Sequence, residues 1–272
     1  VLEFLPQIPN EVLRLKNVIE SPEVPNVDIG NHCSDPYDCD FKGTCWKHIP
    51  DYSVFNISRL NKDKKFDLYN QGVITLDDID LSQTYLNPNQ VLQVQSEVNG
   101  TTHIDVEEIR KFTNGLSYPL YFLDFETIGP AVPKYNGSRP YQQLVFQYSL
   151  HVQETSTSDI EHREYLADPS QDPRPNFIEQ LIQDCGDIGD IIVYNIGFER
   201  GKINDLINVF PEYSNELRGI VNRLKDLMIP FQQKWYYTPE MRGSYSIKYV
   251  LPALVPELSY NDLDIKEGGT AS

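Results

Sequence analysis

The chain has 272 residues, 40% of them hydrophobic, which is enough for one large or two modest domains. No apolar run approaches the ~20 residues that cross a bilayer as a helix, and no signal peptide is evident, so a soluble, cytoplasmic chain with reduced thiols is expected. A formal net charge of −17 excludes a broad basic surface for duplex nucleic acid. The imbalance is spread evenly, with 10 basic and 18 acidic residues before Tyr118 and 13 and 22 from there on.

The first landmark is Cys-Ser-Asp-Pro-Tyr-Asp-Cys-Asp-Phe-Lys-Gly-Thr-Cys at 33–45, holding three of the four cysteines. Cys33, Cys39 and Cys45 are candidate metal ligands. His32 or His48 could complete a zinc site, and ordinary reduced thiols are the alternative, because no Cys-x-x-Cys pair is present. Cys185 stands alone and reads as a structural thiol. Thr75–Ile79 and Asp105–Ile109 each look like a helix N-cap and first turn. Residues 1–117 are therefore expected to form a small, mostly helical segment, joined to the next domain near Gly115–Pro119.

Residues 121–128, Tyr-Phe-Leu-Asp-Phe-Glu-Thr-Ile, are an apolar β-run interrupted by two carboxylates. Side chains at i and i+2 of a strand leave the same face, so Asp124 and Glu126 converge while Leu123 and Phe125 turn to the buried side. Two unpaired acids are costly in a central strand, and a hard divalent cation offsets that cost. Alternation over 139–153, followed by His-Arg-Glu-Tyr-Leu at 162–166, predicts a hairpin.

A second β-run at 190–193 leads through Tyr-Asn-Ile-Gly-Phe-Glu into a helix. Glu199 lies in its first turn, and Ile203, Leu206, Ile207 and Phe210 recur at helical spacing before Pro211. A further helix carries Leu217, Val221 and Leu224 toward Asp226-Leu227-Met228. The stretch Trp-Tyr-Tyr-Thr-Pro-Glu-Met-Arg-Gly-Ser-Tyr-Ser-Ile-Lys at 235–248 mixes aromatic and basic residues on which single-stranded bases can stack.

Asp124-x-Glu126 on a strand, with Asn195-x-x-Phe198-Glu199 at a strand-to-helix junction, resembles the first two motifs of the DEDD exonuclease superfamily, the DnaQ-like nucleases. Glu199 stands where those proteins usually carry Asp. With Gly-Ser-Tyr-Ser-Ile-Lys at 243–248, the combination resembles a bacterial family of uncharacterised proteins in which a DEDD-type module follows a RecB-like nuclease module of the CRISPR-associated kind.

The resemblance implies an α/β fold with an RNase H-like mixed sheet flanked by helices over 118–272. It implies a 3′–5′ exonuclease in which Asp124, Glu126 and Glu199 bind two Mg²⁺ or Mn²⁺ ions, and in which Thr127, Asn195, Phe198, Tyr245 and Lys248 serve substrate binding. The expected partners are single-stranded ends of DNA or RNA and an upstream nuclease module in the same polypeptide. Cys33, Cys39 and Cys45 resemble the trio that, with one upstream cysteine, holds a [4Fe-4S] cluster. The superfamily's third motif, a Tyr or His four or five residues before an Asp, is not matched after Lys248, where Tyr260, Asp262 and Asp264 have the wrong spacing. The chain thus reads as a C-terminally truncated piece of a longer protein. A non-catalytic RNase H-like module that binds nucleic acid or protein is the alternative.

Overall fold

A computed structural model describes residues 3–23 and 25–258. The chain divides into two compact units, Val1–Phe55 with Leu60–Ile79, and Asn56–Arg59 with Asp80–Ser272. The boundary expected at 117/118 falls inside the second of these.

The first unit contains α1 (Ile8–Glu20), a 3-10 turn at Asn31–Ser34, α2 (Lys42–Cys45) and α3 (Lys62–Asn70). Asn61 starts α3, its side chain accepting the Asp63 amide at 2.8 Å. The core is small: Ile29, Cys33 and Phe66, with Trp46, Ile49, Phe55 and Tyr69 packed around them. The helix expected at Thr75–Ile79 is a turn instead. The Asp78 carboxylate accepts both the amide and the hydroxyl of Thr75, at 2.9 and 2.7 Å, and the backbone closes in i to i+3 turns, Asp78 N donating to Thr75 O and Ile79 N to Leu76 O, both at 3.3 Å.

The second unit opens with α4 (Pro88–Asn99), β1 (His103–Ile104) and α5 (Val106–Asn114). As expected, Asp105 caps α5, accepting the Glu108 amide at 3.1 Å. Gln93 of α4 is fully buried and binds the short stretch at 56–59, accepting from Ser58 N at 2.9 Å and donating to Asn56 O at 3.1 Å. Next come β2 (Leu120–Ile128), β3 (Leu144–Gln153), β4 (Ile160–Leu166), α6 (Arg174–Cys185), β5 (Asp190–Val193), α7 (Ile196–Val209), α8 (Ser214–Arg223) and β6 (Leu224–Asp226). The unit continues through α9 (Ile229–Gln232), β7 (Tyr236–Tyr237) and α10 (Ile247–Leu254). Leu224, expected in a helix, starts β6 instead: it pairs with Ile191 in parallel register.

Five strands form a mixed sheet in the order β4-β3-β2-β5-β6. β2 runs antiparallel to β3 and parallel to β5, so the strand with the two acids lies where the sheet changes sense. Tyr121, Leu123 and Phe125 of β2, Tyr148, Leu150 and Val152 of β3, and Ile191 and Val193 of β5 point into one core with Phe177, Leu181, Ile203, Leu206, Leu217 and Ile220 of α6, α7 and α8. Burial of each such aliphatic side chain contributes ~1.5–3 kcal/mol. The α/β architecture expected from the sequence, a mixed sheet flanked by helices and preceded by a helical segment, is the one observed. Among the described residues no helix is long and apolar enough to cross a membrane.

Candidate active site

Strand alternation places Asp124 and Glu126 on the face of β2 opposite the helix-covered core. β2 pairs with β5 only from Leu120 to Phe122, because β5 ends at Val193 and the chain turns away into α7. The acids therefore stand at the carboxyl end of β2, beside the place where its neighbour has left, which is where open α/β sheets form a crevice. A register shift between Glu126 and Thr127 follows at once. Bulges re-aim side chains, and here Thr127 lines a cavity of about 650 Å³ together with Lys134, Tyr135, Phe146, Leu166 and Pro169.

The turn carrying Asn195 is held from a distance. Asn195 has φ +74°, a left-handed conformation that Asn tolerates better than most residues. Its own side chain does not cap α7. Asp226, at the end of β6 and 6% exposed, does so instead: its carboxylate accepts the amides of Asn195 at 3.0 Å, Ile196 at 3.2 Å and Met228 at 2.9 Å. A negative group at a helix N-terminus is favoured twice, by the unsatisfied amides and by the macrodipole. Tyr194 ties in the Tyr245 segment, its hydroxyl donating to Tyr245 O at 2.6 Å.

Glu199 lies one turn into α7 and is 2% exposed. Its Oε2 is buried without any hydrogen-bond partner. Burial pushes its carboxyl up to about 7, opposed by a backbone hydrogen bond and reinforced by the charges of Asp124 and Asp226. Asp124 and Glu126 are raised as well, mainly by desolvation, and for Glu126 also by the charge of Asp124. Asp124 is exposed at the rim of the strand, yet the protein crowded beside it suffices to disfavour its charged form. The three acids thus share one electrostatic field.

Their donor set, all oxygen, suits Mg²⁺ or Mn²⁺, and the unbonded Glu199 Oε2 fits a cation ligand. Among the described residues, however, no three His, Cys, Asp or Glu side chains are gathered closely enough to enclose a metal ion. The same holds for the cysteines: Cys33 is buried in the apolar core of the first unit, Cys39 and Cys45 are exposed, and all are free thiols. As arranged, that trio does not form a ligand group among the described residues.

Of the other sequence candidates, Phe198 packs against the sheet core with Lys202 Nζ 5.8 Å above its ring, and Lys248 is exposed on α10 and joins none of these contacts. Tyr260, Asp262 and Asp264 lie outside the described residues. In the sequence Asp226 stands only at the end of the run from Leu217, and its capping role is not anticipated there. The available signal was an acid ending a short β-run directly after a helix.

Residues 121–246 match a domain family described only as a domain of unknown function (DUF2779). Over 228 residues the chain is 28% identical to "Uncharacterized protein UU173" of Ureaplasma parvum, covering 75% of this chain and 32% of that protein. Over 167 residues it is 28% identical to "Uncharacterized protein MG366 homolog" of Mycoplasma pneumoniae, covering 55% of this chain and 25% of that protein. The chain thus spans about a quarter to a third of the length of the curated relatives it matches. No solved structure matches it.

The raised Glu199 carboxyl has a definite effect on stability. Folded protein holds the Glu199 proton up to about pH 7, whereas the unfolded chain releases it near 4.5. Between these values the native state binds more protons, so stability falls as pH rises, by up to about 3 kcal/mol from this group. Urea unfolding at pH 5 and pH 7.5 with chelator present is expected to show that fall. Glu199→Gln, which cannot ionise, should remove most of it; an unchanged slope in the variant would count against the assignment.

Proposed function

We propose that the second unit is a metal-dependent 3′–5′ exonuclease module of a larger protein, acting on single-stranded ends of DNA or RNA. The observation that supports this most is the buried, unbonded Glu199 Oε2 in the field of Asp124, beside the sheet's change of sense. Asp124, Glu126 and Glu199 would hold Mg²⁺ or Mn²⁺. When bound, such ions activate the attacking water and stabilise the leaving 3′ oxygen.

The chain's own residues do the rest. Asp226 fixes the turn that presents Glu199. The cavity beside Thr127, walled by Tyr135 and Phe146, has the flat apolar character that receives a nucleobase, and Lys134 at its edge suits a phosphate. Tyr194 holds the Tyr245 segment near Asn195. Proteins as long as the relatives have room for an upstream RecB-like module as well.

A second reading, a non-catalytic module binding nucleic acid or protein, draws support from the net charge of −17 and from the open spacing of the acids. Calorimetric titration with Mn²⁺ tests the first. Weak binding to the 272-residue chain, abolished by Asp124→Asn, is expected. Equal affinity in wild type and variant would sink the assignment, and metal binding without cleavage of DNA or RNA by the full-length protein would favour the second reading.

A further inference from the structure

The sheet face that carries Asp124 and Glu126 continues across β3 and β4. In register, Phe122 stands opposite His151 and His151 opposite His162; one row along, Asp124 stands opposite Ser149 and Ser149 opposite Glu164. Directly opposed residues share a face, with Cβ atoms about 4.5–5.5 Å apart. The two imidazoles lie stacked, with centroids 4.5 Å apart and planes inclined by 24°. Both histidines are exposed, and His162 Nε2 lies 3.1 Å from Ser149 Oγ. Along β2, β3 and β4 this face carries the carboxylates of Asp124, Glu126 and Glu164, and no lysine or arginine.

We propose that His151 and His162 form a binding site for a borderline divalent cation, Zn²⁺ above all, separate from the acids and different in chemistry. Imidazole nitrogen matches Zn²⁺, Ni²⁺ and Cu²⁺, whereas carboxylate oxygen matches Mg²⁺ and Mn²⁺. The stacked planes do not share a cation as they stand, because each nitrogen lone pair lies in its own ring plane. The strand register fixes the two Cβ atoms within reach, and rotation of the exposed rings out of the stack brings the nitrogens to one ion. With Nε2–H of His162 donating to Ser149 Oγ, the Nδ1 lone pair is left for the metal, and the serine takes the part that outer hydrogen bonds play at metal-bound histidines. The surrounding carboxylates raise the local cation concentration, and water completes the four-coordinate shell that zinc favours. Two protein ligands make this an exchangeable site, unlike a closed four-ligand structural one.

The test is a Zn²⁺ titration of the 272-residue chain carrying Cys39→Ser and Cys45→Ser, so that exposed thiolates do not compete. It is followed by calorimetry and by NMR of the histidine side chains. The signals of His151 and His162 are expected to shift together and saturate at one equivalent. His151→Gln or His162→Gln should each weaken binding by at least about tenfold, the loss that even an outer partner can bring, and Ser149→Ala should weaken it less. Asp124→Asn should leave Zn²⁺ affinity within about twofold while abolishing the Mn²⁺ response, so the two sites are read independently. Zn²⁺ binding that ignores both histidine variants, that is lost with Asp124→Asn, or that leaves these two signals unmoved overturns the proposal.

Discussion

Glu199→Gln in the full-length protein is expected to slow release of mononucleotides from a labelled single strand by about a hundredfold or more, equivalent to about 2.7 kcal/mol of transition-state stabilisation. The substitution keeps the size of the side chain and removes its charge, so the loss reports the ligand role and not packing. Asp124→Asn should match it. The double variant should be little worse than either alone, because residues acting as one unit are not additive. Single-turnover assays on end-labelled and circular substrates decide the matter. A loss of less than about threefold would remove Glu199 from the ligand set, and cutting of closed circles would exclude a strict exonuclease.

Gly189→Ala is expected to cost at least about 3 kcal/mol of stability, through backbone strain and broken strand pairing. Gly189 has φ +83°, and a Cβ there would lie 2.1 Å from Pro119 O and 2.8 Å from Pro119 N. Backbone cannot yield as a flexible side chain can. The displaced contact is also the seam between β2 and β5, where Asp190 N donates to Ser117 O at 2.8 Å and the Asp190 carboxylate accepts Ser117 N at 2.8 Å. Urea unfolding measures the loss. In variant protein that still folds, Mn²⁺ affinity should fall too, since β2 would shift against α7; wild-type stability in the variant would show that the seam is more pliable than its geometry indicates.

What could be read from the sequence was local. The i, i+2 spacing of Asp124 and Glu126 put them on one face without any knowledge of neighbours, and the helical recurrence of Ile203, Leu206 and Ile207 marked α7. The Thr75 turn is not legible in the sequence because Thr and Asp serve turns and helix starts equally, and the bonds of Thr75 to Asp78 suit either. Leu224 looked helical because it continues the spacing of Leu217 and Val221; its strand state comes from pairing with Ile191, a partner 33 residues away. Asp226 acts on amides 31 and 30 residues earlier in the chain, and the bulge after Glu126 depends on β3. Such features belong to the tertiary structure, and no window of residues contains them.

The stretch Asn56–Arg59 belongs with the second unit although residues on both sides of it belong with the first. Cutting the gene at the apparent seam before Asp80 would therefore discard a piece of the second unit. Gln93, fully buried, would lose the bonds it makes to Ser58 and Asn56, each worth about 0.5–1.5 kcal/mol. Gly243, whose missing side chain makes room for Asn56 O, would face a gap. Anyone dissecting the protein should expect a clean amino-terminal deletion to express poorly unless the excised stretch is supplied again as a peptide or rejoined by a short linker.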